Sequence, residues 1–242
     1  MNGQPIPEKE FWPATIKAIK QQYPEFIFIA EVYWDMEWQL QQMGFDFTYD
    51  KRLYDRLLQG STEPVQAHLR AAPDFRDRSL RFVENHDEKR AVVAFGRERS
   101  LAAAAIAFTV PGMRLLHDGQ VQGRKVKQPV QMRRTKHESD DFIVRDFYLK
   151  LLHVCNEPVF HAGTWELLED PRVLAWSWIQ GKQRRFILIN YNDYAIEFYL
   201  DLNRFGQGKK LSDMLDETET FRSSDRGFKI NLKRYQVRIL KF

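Results

Sequence analysis

Residues 80–90 read LRFVENHDEKR, and the fold turns on this stretch. Leu80 to Val83 is a short apolar run of strand length, closed by the polar cluster Glu84-Asn85-His86-Asp87-Glu88. The same grammar occurs on either side of it. Phe26 to Ala30 (FIFIA) runs into Glu31, and Met113 to Leu116 into His117-Asp118-Gly119-Gln120. Phe45-Asp46-Phe47 is a further short strand candidate. Between these runs lie segments of helical period. Lys9 to Gln22 sets Trp12, Ile16 and Ile19 on one face and stops at Tyr23-Pro24; residues 36–43 and Lys51 to Leu58 follow, the latter with Leu53, Tyr54, Leu57 and Leu58. Residues 97–108 are strong helix formers, and a long helix is expected near Asp140 to Cys155. Strands alternating with helices predict an α/β fold on a mainly parallel sheet. In such a sheet the C-terminal strand ends open on one face, where active sites are built. Glu31, His86-Asp87 and His117-Asp118 are therefore expected to converge.

After Phe160 the pattern changes. Val173 to Ile179, Arg185 to Tyr191, Ala195 to Leu202, Phe228 to Leu232 and Gln236 to Leu240 are short β-rich stretches. Turn-like breaks at Gly181, Asn190 to Asp193, Gly206 to Gly208 and Asp225 to Gly227 separate them. They predict an antiparallel all-β sandwich, so the chain divides into 1–160 and 161–242. Trp176 and Trp178 share one face of a strand and are expected in the core of that second domain.

The chain has 242 residues, 43% hydrophobic and 29% charged, with one cysteine and a formal net charge of +4. These values exclude disordered and fibrous classes and any intramolecular disulfide. Acidic residues interrupt the basic ones throughout, which argues against a nucleic-acid partner. No apolar run approaches the roughly 20 residues of a membrane helix, so no membrane is expected. The opening MNGQPIPEKEFWP has neither a secretory apolar core nor an arginine-rich transit face. The expectation is a cytoplasmic chain without a cofactor. No stretch has convincing metal-ligand spacing.

Three segments carry a resemblance. IAEVYW (Ile29 to Trp34) resembles the fifth-strand motif of the α-amylase family of glycoside hydrolases. FVENHDEKR (Phe82 to Arg90) is similar to its seventh-strand motif, and PGMRLLHDGQ (Pro111 to Gln120) to its eighth. Their order, their spacing and the following β domain fit the family from about residue 8 to 242. The resemblance implies the second half of a (β/α)8 barrel followed by a C-terminal β domain, acting on α-glucosidic bonds of α-glucans or oligosaccharides. It makes Glu31 the acid/base, Asp87 the stabiliser of an oxocarbenium-like state, and His86 a ligand of sugar hydroxyls, with Asn85 in the same motif. On physical grounds, retention needs one protonated carboxyl group and a second, ionised one about 5 to 5.5 Å away. The apolar neighbours of Glu31 are expected to desolvate it, and Tyr33 and Trp34 offer faces for a sugar ring. A lone strand-end glutamate is more often a cap or a surface group; its two companion motifs favour the site.

Other features weigh less. His117 and Asp118 either cap a loop or contribute to the site, and Val121 stands where the family often has glutamate. Arg124-Lys125-Val126-Lys127 and Arg133-Arg134 read as a solvated loop before an anion site. The family's nucleophile belongs to a Gly-x-Arg-x-Asp motif at the fourth strand, and no such motif occurs. Asp35, Asp46 and Asp50 are nearby carboxylates, none where the motif would place it. The expectation is a C-terminal portion of such an enzyme, inactive alone, as from a truncated gene, a split gene or a start codon called too late. Its partner would be a separate N-terminal barrel half; the alternatives are a carbohydrate-binding or assembly module without catalysis, or an inactive fragment.

Overall fold

The computed structural model describes residues 9–134, 137–205, 210–225 and 227–242. The break expected at 206–208 lies outside them. The alternating region forms α1 (Phe11–Gln22), β1 (Ile29–Ala30), α2 (Glu37–Gln42), β2 (Phe47–Tyr49), α3 (Lys51–Gln59), α4 (Thr62–Leu69), α5 (Pro73–Arg76), β3 (Ser79–Arg81), α6 (Ala91–Ala94), α7 (Arg97–Thr109), β4 (Met113–Arg114), α8 (Phe142–Cys155) and α9 (Val159–Ala162). The four strands pair in chain order and all in parallel, with Ile29 opposite Phe47, Thr48 opposite Ser79, and Leu80 opposite Met113. This is half of a (β/α)8 barrel, open at the β1 and β4 edges.

The second strand starts later than its apolar pattern indicates. Asp46 accepts the Phe28 N–H at 2.8 Å and pairs with Lys20, so the ladder begins at Phe47. Of the expected α1 face only Ile16 is buried, in a small cluster with Ala30, Val32 and Phe45; Trp12 leans edge-on against Phe45. Phe26, Ile27 and Ile29, on and just before the edge strand β1, are about half exposed.

One buried ionic group ties the strands together. Asp50 ends β2 and caps α3, accepting the Leu53 N–H at 2.9 Å. Its other oxygen pairs with Arg81 of β3 and lies 2.9 Å from His68 of α4. Arg81 also donates to the carbonyls of Arg76 and of Pro111, which leads into β4. The close approach of β3 and β4 explains the Pro111-Gly112 pair: Gly112 has φ +115°, and a Cβ there would lie 2.3 Å from the Ser79 carbonyl oxygen.

The last third forms β5 (Thr164–Leu168), β6 (Leu174–Gln180), β7 (Gln183–Ile189), β8 (Ile196–Leu200), β9 (Lys210–Asp213), β10 (Thr220–Ser224), β11 (Gly227–Leu232) and β12 (Val237–Lys241). They make one antiparallel sheet, ordered β5-β6-β7-β12-β9-β10-β11-β8, whose halves fold onto each other as a sandwich. Ala175, Phe186, Leu188 and Leu240 meet Phe198, Leu200, Phe228 and Ile230 between the layers. The outward residues of the same strands are buried as well. Leu174, Trp176, Trp178, Ile187, Ile189 and Ile239 belong to one cluster with Ala102 to Phe108 of α7. Trp176 and Trp178 are thus core, but of the seam with the half barrel, where Trp178 Nε1 donates to Thr109 O at 2.6 Å. No helix of the described residues is long and apolar enough to cross a membrane.

Two outcomes test the clamp. Asp50→Asn leaves Arg81 buried without its counter-charge and is expected to cost about 3–5 kcal/mol in urea unfolding; a loss below about 1 kcal/mol would refute its role. Burial holds His68 down to about 4 from its ordinary 6.5. The unfolded chain then binds a proton that the native one refuses, so this residue's contribution is present above 6.5 and is lost as pH falls toward 4. His68→Gln is expected to flatten that part of the stability–pH curve.

Candidate active site

Glu31 directly follows β1, and the chain then turns sharply. Trp34 and Asp35 adopt left-handed conformations, φ 63° and 64°, unusual for non-glycine residues. Arg52 holds Asp35 at 2.7 Å, and Trp34 projects into solvent, 85% exposed. Tyr33 donates its hydroxyl to Glu31 Oε1 at 3.2 Å. Burial, then the charge and hydrogen bond of Glu31, raise the Tyr33 hydroxyl well above its ordinary value, so it stays a donor. Burial, Glu31 and Asp87 also raise Tyr49.

The turn after β3 brings its residues to the same place. Asn85 is buried, and its Oδ1 accepts the N–H groups of Asp87 and Glu88, each at 2.9 Å. That closes a tight turn that aims His86 and Asp87 outward. His86 Nε2 lies 3.3 Å from Glu31 Oε1 and 3.5 Å from Asp87 Oδ2. One ligating atom from each of the three lies within 4.8 Å of the others. The chain distance between Glu31 and His86 hides this grouping from a search for metal-ligand spacing. The side chain of Glu31 is 42% exposed, so its apolar neighbours do not enclose it as expected.

A second layer supports the turn. Glu84, buried, accepts from Arg90 at 2.7 Å and from the Ala91 N–H at 2.6 Å, and its Oε1 lies 3.2 Å from His117 Nδ1. Arg90 also donates to the Asp118 carbonyl at 2.6 Å. The loops after β3 and β4 are thereby joined. In the sequence Glu84 stands in the polar cluster after Val83 without a role of its own; its signal is a charge set directly against an apolar strand run. His117 and Gln120 serve this frame: Gln120 accepts the His117 N–H and donates to Tyr148, while Val121 packs on the core. The basic loop closes on itself, with the Lys125 and Val126 N–H groups on the Glu138 carboxylate.

Beside Glu31 and Asp87 a cleft of about 430 Å³ is lined by Tyr33, Trp34, Glu37, Lys51, Asp55 and Glu88, among others. Lys51 is held by Asp55 and Glu88. The other nearby carboxylates are committed: Asp35 to Arg52, Asp46 to Lys20, and Asp50 to Arg81.

Parallel strands carry two carboxylates and a histidine together at the C-terminal ends of a half (β/α)8 barrel. The fold is that of the α-amylase family, and the chain corresponds to its C-terminal portion, from the fifth barrel strand through the β domain. No family model matches the chain. It is 37% identical over 89 residues to the α-amylase MalA of Haloarcula japonica, covering 34% of this chain and 13% of that protein. Among solved structures it is similar to an Anoxybacillus α-amylase, with TM-score 0.80 and 21% identity, covering 95% of this chain and 55% of that one. It is also similar to the Geobacillus thermoleovorans α-amylase, solved with acarbose, with TM-score 0.78 and 21% identity, covering 95% and 56%. The chain spans about half the length of these solved enzymes.

Asn85→Ala frees two N–H groups and is expected to cost about 1–3 kcal/mol in chemical denaturation. Its effect on the turn is read from the His86 ring resonances, which should move; if they stay in place, Asn85 does not set this geometry.

Proposed function

We propose that the chain carries the acid/base side of a retaining glycoside hydrolase site for α-glucosidic bonds of α-glucans or oligosaccharides. The observation behind this reading is the convergence of Glu31, His86 and Asp87 at the C-terminal ends of parallel strands. In this reading residues 1–160 form the catalytic half barrel of a cytoplasmic enzyme and residues 161–242 its supporting β domain. Glu31 protonates the glycosidic oxygen and later takes a proton from water. Asp87, ionised, stabilises positive charge at the anomeric carbon. His86 donates to a sugar hydroxyl, Tyr33 and Trp34 flank the cleft where a ring would stack, and Asn85 fixes the turn. The role of Tyr33 has a second part: its hydrogen bond orients the Glu31 carboxyl group.

Attack at the anomeric carbon needs a further carboxylate. Asp35, Asp46 and Asp50 are bound to cations, so the reading assigns the nucleophile to β/α units that would close against the open edges of β1 and β4. The half-exposed Phe26, Ile27 and Ile29 support that surface as their contact. The committed state of these aspartates also favours, for the chain alone, a second reading as a carbohydrate-binding module.

Mixing the chain with a polypeptide bearing the first four β/α units of an α-amylase barrel tests the proposal. Maltooligosaccharide cleavage is expected from the pair and from neither part alone. Glu31→Gln is expected to lower the rate by about 10²–10⁴-fold. A pair whose activity is untouched by that substitution rules out the assignment of Glu31. If the pair is inert while the chain alone binds maltotriose in a calorimeter, the binding module is the correct reading.

A further inference from the structure

Two carboxylate oxygens and one imidazole nitrogen converge at the open face with little positive charge to balance them. Among the described residues no lysine or arginine pairs with the Glu31 or Asp87 carboxylate; their ion-pair partner is His86. The nearby cations bond elsewhere: Lys51 to Asp55 and Glu88, Arg90 to Glu84, and Lys127 to the Asp87 backbone carbonyl and not to its carboxylate. Lone pairs arranged in this way repel unless a positive charge lies between them, either a proton on His86 or a cation.

The spacing suits a cation. Ligand atoms about 2.0–2.2 Å from a tetrahedral zinc ion stand about 3.3–3.6 Å from one another. His86 Nε2 is 3.3 Å from Glu31 Oε1 and 3.5 Å from Asp87 Oδ2. The third edge, between the two carboxylates, is within 4.8 Å and closes by rotation of exposed side chains. We propose that Glu31, His86 and Asp87 form a three-ligand site for a transition-metal dication of the zinc and cobalt type, with the fourth position open to water or substrate. The imidazole nitrogen selects these ions over magnesium and calcium, which prefer oxygen shells. The ion would occupy the oxygen from which Glu31 acts and so exclude α-glucan. That consequence rests on the function proposed above; capture of the ion does not.

Titrating the purified 242-residue chain with cobalt(II) at pH 7.5 provides the test. A ligand-field band saturating at one ion per chain is expected, together with paramagnetic shifts of the His86 ring protons. Zinc(II) should abolish the band and magnesium(II) should not. His86→Ala should weaken binding by about 100-fold, the upper end of what even an outer-shell loss costs, with circular dichroism confirming that the fold is kept. Unshifted His86 protons in the unaltered chain, unchanged affinity in His86→Ala, or equal competition by magnesium would each overturn the site. Adding maltotriose separates the two claims. Displacement of cobalt supports both, whereas cobalt that binds through His86 and is not displaced supports the ion site and counts against the glucan reading.

Discussion

The geometry of the open face depends on a buried pair of opposite charges, Asp50 and Arg81. A sheet of four parallel strands with two free edges has few constraints on how its strand ends align. Arg81 bonds to Asp50 after β2, to the carbonyl of Arg76 ahead of its own strand, and to the carbonyl of Pro111 ahead of β4. Such pairs contribute little net stability over apolar packing, but breaking one strands a charge in the interior. What this pair supplies is register. With three successive β/α units locked, Glu31 beside β2 and His86 after β3 have little freedom to drift apart.

Above that frame the site is built from turns. The Glu84 carboxylate and the Asn85 Oδ1 are bonded to backbone N–H groups and to a neighbouring loop, and His86 and Asp87 face outward. The two left-handed residues after Tyr33 keep the β1 loop from continuing away from the face, at about 1–2 kcal/mol each. Residues held in strained conformations gather where a surface must be presented in one shape.

Much of this was legible in the sequence because the relevant signals are local. Polar clusters directly after apolar runs mark strand ends, and parallel strands bring such ends together. The helices at Lys51–Gln59 and Arg97–Thr109 follow their patterns to within a residue. Short elements with weak periodicity were not legible. Residues 62–76 form two helices with few apolar positions, and the mostly exposed β10 lacks alternation. Pairings across the chain were equally hidden: nothing near Arg81 names Asp50 as its counter-charge. Trp176 and Trp178 showed which face they share but not what that face meets. Burial of Glu31 was misjudged because its two immediate neighbours, Ala30 and Val32, pack into the small cluster with Ile16 and Phe45.

The strands β6, β7 and β12 are covered on both faces, and this bears on how the polypeptide acquires its shape during synthesis. Helix α7 rests on side chains translated well after it: its last carbonyl, Thr109, is bonded by Trp178, 69 residues later. The Leu57 carbonyl waits longer still, for the hydroxyl of Tyr191, 134 residues on. A ribosome delivers the half barrel first, yet these partners come last. The barrel portion therefore leaves the exit tunnel before the side chains that complete these two bonds.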